Sequence, residues 1–306
     1  MNPTLQKTLV FSDLIPDTVN RALMQRLDAS GKGVNVSRVL TQLGKNCIHL
    51  TQLGGSLRSL FLDLCAQDKI NIQWVESNSP IRFCYTLINK KDSDVTELVE
   101  EGEQVGTETE GKLLEAYGKL LSSESDLKIS TVIISGSMAA GFSGSLISEM
   151  VRQAKARSLR VILDIRGKDL LECLPLKPDI IKPNLYEFAS TFDSDLVSGN
   201  EINTVNFSEL EVKKRISNIC NELFKEFQCQ AVLSRGSNTI WYAENGKFNE
   251  FEFESIEPIN TTGSGDAFTA GLASVLGDGR SIKEAITEGA RCGKLNAMQL
   301  RPGVIL

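Results

Sequence analysis

Short apolar runs alternate with longer amphipathic stretches through the middle and the end of this chain. The apolar runs occupy residues 131–134, 160–165, 179–183 and 231–234, and helical spacing extends over 143–157 and 208–227. Strands that are apolar at nearly every residue are typical of a parallel sheet covered by helices on both faces. The sequence therefore predicts an α/β fold with a mostly parallel sheet between helices. Ligands of such folds bind at the carboxyl ends of the strands.

Two other segments do not follow this alternation of apolar runs and amphipathic stretches. Residues 7–11 and about 70–100 alternate apolar and polar side chains, as strands with one exposed face do. We expect a single domain over residues 1–306, in which a small β lid from about 3–16 and 70–100 closes over an α/β core made from the remainder. A hinged lid of this kind excludes water from a reaction. Asn245-Gly246, between two strand-like runs, predicts a tight hairpin.

The composition argues against several classes of function. The 306 residues include 33 basic and 39 acidic side chains without a dense basic run, so no nucleic-acid partner is expected. No apolar stretch approaches the ~20 residues of a membrane span, and the first residues lack a signal-peptide core. Seven scattered cysteines fit free thiols, so we expect a cytoplasmic protein that binds no membrane. With His49 as the single histidine, acid–base chemistry is expected from Asp, Glu, Lys or Cys.

A glycine-rich segment, Gly263-Ser264-Gly265-Asp266, precedes a run with helical spacing over 267–276. Glycines let backbone N–H groups turn inward, and a helix N-terminus carries partial positive charge, so this segment predicts an anion-binding loop. A carboxylate beside a phosphate is unfavourable unless Asp266 accepts a proton from a hydroxyl during phosphoryl transfer, which indicates a kinase. An equally open interpretation of this segment alone is a capping loop in which Asp266 stabilises the helix N-terminus.

Lys32 lies between Gly31 and Gly33, at the start of a predicted helix that extends through Leu43. A cation at a helix N-terminus is disfavoured by the helix dipole unless an anion also lies there. Lys32 therefore indicates a phosphate group on the substrate. Arg82, in the predicted lid, is a candidate for a second, bidentate contact with that phosphate. A solvated strand residue is an equally open interpretation of Arg82.

Further motifs follow one another in a characteristic order along the chain. They are Asn2-Pro3, 19–21, 30–38, Arg82, Thr96-Glu97, Gly136-Ser137, Asp164, 182–187, 234–236 and 263–266. In this order they resemble the ribokinase-like phosphofructokinase-B (pfkB) family of carbohydrate kinases, especially its branch of 1-phosphofructokinases and tagatose-6-phosphate kinases. The resemblance extends nearly from end to end. Each motif alone is weak, whereas five or six in the correct order are specific.

The resemblance implies a role for each motif. Asp266 would be the general base, and the N–H groups of Gly263, Ser264 and Gly265 would form an anion hole. The residues implied in substrate binding are Gln6, Gly31, Lys32, Gly33, Asn35, Arg82 and Ser137. The residues implied in binding ATP are Lys182, Asn184, Ser234, Gly236 and Thr239.

The resemblance also implies a Mg²⁺ cofactor beside ATP. Glu187 would hold the ion, with Asn184 acting through water, which suits an ion that keeps several of its waters. Taken alone, Glu187 is better explained as an acid in the first turn of a helix. Related kinases often pack lid against lid, so a homodimer through the lid is a further implication.

The chain departs from that branch at several sugar contacts. Gln6 stands where an aspartate is usual, Ser30 replaces a glycine, and Cys84 replaces a polar residue. Ala139-Ala140 replaces a proline pair, whereas the phosphoryl-transfer motifs are intact. In the family, a buried strand of the central sheet precedes the Asn-Pro pair. We therefore expect either an upstream segment or another part of this chain to occupy that position, because an interior gap leaves backbone groups unpaired.

The expected function is the ATP- and Mg²⁺-dependent phosphorylation of a ketohexose phosphate. Fructose 1-phosphate, converted to fructose 1,6-bisphosphate, is the first candidate substrate, and tagatose 6-phosphate is the second. An unphosphorylated sugar or nucleoside fits less well with Lys32 and Arg82. A non-catalytic sugar-phosphate sensor on the same fold is the alternative of a different class, because the sugar contacts are altered.

Overall fold

The computed structural model describes residues 1–122 and 128–306. The strands are β1 (Thr4–Phe11), β2 (Met24–Ser30), β3 (Ile48–Gly54), β4 (Asn71–Ser77), β5 (Arg82–Asn89), β6 (Asp94–Val99), β7 (Thr131–Ser135), β8 (Arg160–Asp164), β9 (Ile180–Ile181), β10 (Val197–Ser198), β11 (Glu201–Ile202), β12 (Gln230–Leu233), β13 (Ile240–Glu244) and β14 (Lys247–Phe251). The helices are α1 (Lys32–Gln42), α2 (Arg58–Gln67), α3 (Thr107–Leu120), α4 (Leu146–Lys155), α5 (Gly167–Cys173), α6 (Leu185–Phe192), α7 (Glu209–Phe227), α8 (Ser264–Gly277) and α9 (Ile282–Ala297). Within the described ranges, none of these helices has the length and apolar content to cross a membrane.

The central element is a six-stranded sheet in the order β14-β13-β12-β9-β8-β7. Strands β7, β8, β9 and β12 are parallel, and β13 and β14 are added antiparallel at one edge. In β8, Val161 and Leu163 pack into a cluster with α4 to α7, whereas Ile162 packs into a second cluster with α8 and α9. This alternation places helices on both faces of the sheet. The predicted α/β fold with a mostly parallel sheet is confirmed.

Local sequence signals account for several element boundaries. Asn245 and Gly246 have φ angles of 51° and 76° in the turn between β13 and β14, which confirms the predicted hairpin. Helices α6, α7 and α9 each begin with a capping box, formed by Asn184 and Glu187, Ser208 and Glu211, and Ser281 and Glu284. Each box satisfies backbone N–H groups that a helix start leaves without partners.

A separate four-stranded sheet in the order β2-β1-β5-β6 contains three segments of the predicted lid, 4–11, 82–89 and 94–99, and we refer to this sheet as the lid. β1 pairs antiparallel with β2 and parallel with β5, and β6 completes the other edge. The lid therefore contains residues 24–30, which the predicted boundaries left out. The assignment of residues 71–77 to the lid is wrong, because β4 pairs in parallel with β3 instead. Alternating polarity marks a half-exposed strand, but it does not specify the sheet that the strand joins.

Strands β3 and β4 form a pair of their own beside the end of the six-stranded sheet. Leu50 of β3 and Val75 of β4 pack against the same apolar cluster as Ile134 of β7, and α1 contacts both β3 and β7. A strand that continued the sheet from β7 to β3 would lie between them. No strand of residues 1–122 or 128–306 does so. The expectation that another described part of this chain fills the position is therefore wrong.

Candidate active site

The glycine-rich segment at 263–266 leads into α8 as the sequence predicted, but the helix begins three residues before the predicted run at 267–276. Gly263 is the N-cap residue with a φ of 81°, and Ser264 is the first residue of α8. Asn296 of α9 holds the loop by donating hydrogen bonds to the Thr262 carbonyl at 2.9 Å and to the Ser264 hydroxyl at 3.1 Å. The N–H of Ser264 donates to the Thr261 carbonyl at 3.1 Å, whereas the N–H groups of Gly265 and Asp266 lie in the first turn of α8, where a helix supplies no carbonyl partner. These two N–H groups have the geometry of an anion site.

Asp266 is the buried acid of this turn, with 6% of its surface exposed. Its Oδ2 accepts a hydrogen bond from Nδ2 of Asn35, 2.8 Å away. Burial and the neighbouring Asp164 raise the pKa of Asp266 to about 7, against the lowering effects of Lys32, Asn35 and Lys182. A carboxyl with a pKa near neutrality can both accept and release a proton at physiological pH. This environment suits a general base.

Asp164, the last residue of β8, is the centre of a charged cluster beside Asp266. Its Oδ1 lies 3.8 Å from Nζ of Lys32 and 3.7 Å from Nζ of Lys182. Its Oδ2 accepts hydrogen bonds from the hydroxyls of Ser135 at 3.2 Å and Thr269 at 2.9 Å. The ends of β7 and β8, the first turn of α1 and the second turn of α8 therefore meet at one carboxylate. Parallel strands place their carboxyl ends together, which explains the convergence.

Lys182 lies beneath the glycine-rich loop. Its side chain is 3% exposed, and its ammonium group is 5.8 Å from the ring centroid of Phe268. A Cβ atom added at Gly265 would lie 3.9 Å from Nζ of Lys182, so the ammonium group reaches close to the loop. A buried positive charge at this place strengthens an anion site. Its contact with ATP stays a prediction.

Lys32 faces the carboxylates of the core. Its Nζ lies 3.5 Å from Oε1 of Glu187 in addition to the contact with Asp164. Burial alone would lower the pKa of Lys32, but the nearby carboxylates outweigh it and raise the pKa above its ordinary value. Gly31 precedes it with a φ of 107°, and a Cβ atom at Gly33 would lie 2.8 Å from Cε1 of His49. Both flanking glycines thus have a steric reason to be present.

Glu187 and Asn184, the residues predicted for Mg²⁺, form the capping box of α6. Oδ1 of Asn184 accepts from the N–H of Glu187 at 2.7 Å, and Oε2 of Glu187 accepts from the N–H of Asn184 at 3.0 Å. The first-turn role that the sequence left open is therefore present, while the carboxylate retains further lone pairs. In the described part of the chain, no group of three His, Cys, Asp or Glu side chains could form a metal cage. One carboxylate, that of Glu187, with Asn184 acting through water, fits an ion that keeps most of its waters, as Mg²⁺ does.

A cavity of about 640 Å³ lies beside α6 and the turn after β12. Three of the residues predicted to bind ATP line it, namely Asn184, Ser234 and Gly236. Gly236 has a φ of 61°, and a Cβ atom there would meet open space. Arg235 stacks 3.8 Å from the ring centroid of Trp241 and donates to the Thr239 hydroxyl at 3.0 Å. The Thr239 hydroxyl is thus bonded within the protein, whereas Gly236 leaves room for a ligand.

Three of the predicted sugar contacts already have partners within the protein, and one of them is Asn35, which bonds to Asp266 and Arg38. The amide of Gln6, buried in β1, donates to the hydroxyl of Thr86 in β5 at 2.5 Å. The hydroxyl of Ser137 accepts from the amide of Asn2 at 3.5 Å. Each of these groups would need to exchange or share its partner to bind a sugar hydroxyl.

Arg82 lies at the start of β5 in the lid. Its Nη1 donates to the Glu100 carbonyl at 2.6 Å, while its Nε is a buried donor without a partner. Lys32 faces the core, so the joint contact of both cations with one phosphate stays a prediction. The lid also reaches the glycine-rich loop, because Oε1 of Glu97 accepts from the Thr262 hydroxyl at 3.2 Å.

Comparison with known proteins identifies the family. Residues 7–303 match the pattern described as pfkB family carbohydrate kinase. This chain belongs to the pfkB family. A tagatose-6-phosphate kinase from Staphylococcus epidermidis is 27% identical over 307 residues, which cover 100% of this chain and 93% of that protein. The resemblance inferred from the ordered motifs is confirmed.

Solved structures show the same fold as this pfkB kinase. Phosphofructokinase-2 from Escherichia coli, in complex with potassium, has a TM-score of 0.82 at 17% identity, covering 98% of this chain and 91% of that one. A possible 1-phosphofructokinase from Thermotoga maritima has a TM-score of 0.81 at 21% identity, with the same two coverages of 98% and 91%. A ribokinase from the same organism has a TM-score of 0.69 at 16% identity, covering 99% and 92%. The ribokinase-like fold is therefore confirmed.

Two residues at this site of the pfkB kinase were absent from the predicted set. Asp164 was one of the ordered motifs but was given no role in the site. Its position at the end of an apolar strand was the signal that could have identified it. Asn296 has a fully buried side chain, whose Oδ1 also accepts from the N–H of Gly303 at 2.6 Å. An asparagine inside a helix is locally unfavourable, which is a weak signal of a tertiary role.

Replacing Gly263 by alanine is expected to destabilise this pfkB kinase more than the same change at Gly279. Both glycines have a positive φ, 81° and 76°, which costs alanine about 1–2 kcal/mol. A Cβ atom at Gly263 would also lie 2.9 Å from Cβ of Pro302, whereas nothing lies within 4 Å of one at Gly279. Such overpacking costs about 1–3 kcal/mol more. Urea denaturation measures the difference, and equal losses in both variants would contradict the packing argument.

Proposed function

We propose that this pfkB kinase transfers the γ-phosphoryl group of ATP to a hydroxyl of a ketohexose phosphate. The observation that carries the proposal is one cluster in which the buried carboxyl of Asp266, a helix N-terminus and two lysines converge. Fructose 1-phosphate, phosphorylated on its 6-hydroxyl, is the first candidate substrate. Tagatose 6-phosphate is the second candidate. It is supported by the relative called tagatose-6-phosphate kinase, which matches the whole chain.

The proposed reaction is an in-line displacement at the γ-phosphorus. Asp266 accepts the proton of the attacking hydroxyl while the bond between the sugar oxygen and the γ-phosphorus forms. The bond from that phosphorus to the bridging oxygen of the β-phosphate breaks, and ADP leaves. The N–H groups of Gly265 and Asp266 and the ammonium groups of Lys32 and Lys182 stabilise charge on the group in transfer. Asp164 holds both ammonium groups beside that turn.

The ATP molecule would lie along the surface formed by Asn184, Ser234 and Gly236. Glu187, with Asn184 acting through water, would hold Mg²⁺, which neutralises charge on the β- and γ-phosphates when bound. The lid would close over the sugar phosphate and exclude water. The contact between Glu97 and Thr262 supports this arrangement, because it already joins the lid to the glycine-rich loop.

We also infer that the lid packs against a second copy of the chain. β6 is an edge strand of the lid sheet, and it exposes the apolar side chains Val95, Leu98 and Val99. An exposed edge strand with apolar side chains is usually covered by a partner. Sedimentation velocity with a charged substitution at Leu98 tests the inference, since an unchanged oligomer would contradict it.

The proposed function is tested by ADP release with Mg²⁺-ATP and a panel of sugars. The panel contains fructose 1-phosphate, fructose 6-phosphate, tagatose 6-phosphate, fructose and ribose. We expect turnover with a ketohexose phosphate and little with fructose or ribose. Binding of sugar phosphates without turnover would instead indicate a sensor. Equal turnover of fructose and its phosphates would contradict the assignment of a substrate phosphate site.

Arg82→Met is expected to raise the KM for the sugar phosphate at least tenfold and to change kcat little. The expected effect follows from the loss of a charged contact that is made equally in the ground state and the transition state. Lys91→Met is the matched control, because Lys91 is an exposed lid cation paired with Asp13. A similar rise in both variants would assign the effect to the net charge of the lid.

A further inference from the structure

Arg38 is almost completely buried, with 1% of its surface exposed, and lies one helical turn after Asn35 in α1. Its Nη1 donates to Oδ1 of Asn35 at 2.9 Å and to the Pro302 carbonyl at 3.2 Å. Its Nη2 donates to the Ala29 carbonyl, and its Nε donates to Oδ2 of Asp68 at 2.8 Å. A buried guanidinium is tolerated only when its donors have partners, so these contacts hold Arg38 in one orientation.

Arg38 belongs to a cluster of alternating charges behind the active site. Oδ2 of Asp68 accepts from Nη2 of Arg301 at 2.5 Å as well as from Arg38. Nε of Arg301 lies 2.7 Å from Oδ1 of Asp28, an ion pair without hydrogen-bond geometry. The cluster ties β2, α1, the end of α2 and the segment after α9 together. Of these residues, Arg38, Asp68, Arg301 and Asp28 make no direct contact with Asp266, whereas Asn35 contacts both Arg38 and Asp266.

The side-chain amide of Asn35 can occupy its site in two orientations of nearly equal shape. Its Oδ1 accepts from Arg38 and from the Ser30 hydroxyl at 3.3 Å, so the oxygen is directed away from Asp266. Its Nδ2 then donates to Oδ2 of Asp266. A reversed amide would place an oxygen beside the carboxylate, which repels the ionised form of Asp266.

We propose that Arg38, held by Asp68, is a positioning residue that keeps the NH₂ group of Asn35 on Asp266 and so keeps this carboxylate ready to accept a proton. The inference rests on the proposed role of Asp266 as the base. One oxygen of Asp266 is then always occupied by Asn35, and the other is left for the substrate hydroxyl. The charged groups that face Asp266 are Asp164, Lys32 and Lys182, and the variants below leave all of them in place.

The test compares Arg38→Met with Arg301→Met. Both variants remove an arginine from Asp68, but only Arg38 contacts Asn35. In Arg38→Met we expect the pKa of Asp266 to rise by about one unit, because the ionised form loses a fixed donor. The acidic limb of the pH profile of kcat/KM should shift to higher pH by the same amount. The rate at pH 6 then falls about tenfold, while the rate at high pH is retained. In Arg301→Met we expect lower stability but no such shift.

A direct titration keeps the test independent of turnover. The carboxyl carbon of Asp266 can be followed by NMR in protein labelled with [4-¹³C]aspartate, and its resonance is identified by its loss in Asp266→Asn. Absence of turnover on every sugar would contradict the proposed function and still leave this pKa measurable. Equal shifts in both arginine variants, or none in Arg38→Met, would overturn the positioning role. If Arg38→Met does not fold, Arg38→Lys replaces it, because lysine keeps the charge opposite Asp68 but loses the planar fork and should shift the pKa in the same direction.

Discussion

Asp266→Asn is expected to lower kcat by about a hundredfold to ten-thousandfold while sugar phosphate and ATP still bind. Asparagine has nearly the same shape as aspartate, and its oxygen can still accept the hydrogen bond that Asn35 donates. It cannot accept the proton of the substrate hydroxyl. The interaction that is lost is therefore made in the transition state, so kcat falls while affinity for the ligands is kept.

The measurement combines ADP release with calorimetric titration of each ligand. Asp278→Asn is the matched control, because Asp278 follows the other end of α8 and pairs with Lys45 on the surface. It undergoes the same chemical change outside the site and should keep its turnover. Full turnover in Asp266→Asn would remove Asp266 from the role of base. An unmodified protein that binds sugar phosphate but never turns over would favour the sensor.

The same variant is expected to be more stable than the unmodified protein above pH 7. The pKa of Asp266 is about 7 in the folded protein against an ordinary value of 3.8. Between these values the folded state keeps the proton that the unfolded state has released, so the free energy of unfolding falls as the pH rises. The loss is complete above pH 7, and a difference of about three pKa units corresponds to about 4 kcal/mol. The amide side chain in Asp266→Asn stays neutral at every pH and avoids this loss.

Thermal unfolding of both proteins from pH 4 to pH 9 measures this effect. The two stabilities should be similar near pH 4 and should diverge as the pH rises, with Asp266→Asn the more stable by about 1–4 kcal/mol at pH 8. Other titrating groups contribute equally to both proteins and cancel in the difference. Asp278→Asn should show no divergence. Parallel stability curves for Asp266→Asn and the unmodified protein would mean that the pKa of Asp266 is the same in the folded and unfolded states. The site would then lack a base with a pKa near neutrality.

Local sequence patterns were sufficient to predict those parts of the fold that depend on residues close together along the chain. The apolar runs predicted the parallel strands, Asn245-Gly246 predicted the hairpin, and the segment at 263–266 predicted the loop that begins α8. The lid was predicted only in part. Residues 71–77 have the alternation of a lid strand, yet their partner is β3, and a period of two residues carries no information about the partner.

The sequence by itself determined the family, the alternation of strands and helices in the core, and the residue types that can perform phosphoryl transfer, because these depend on short motifs and on their order. Only the tertiary structure decided that Asp164 contacts both Lys32 and Lys182, and that Asn35 contacts both Arg38 and Asp266. Asn35 and Asp266 are 231 positions apart along the chain. Hydrogen bonds and desolvation act over a few ångströms of space, so the pKa of Asp266 is set by neighbours that folding supplies.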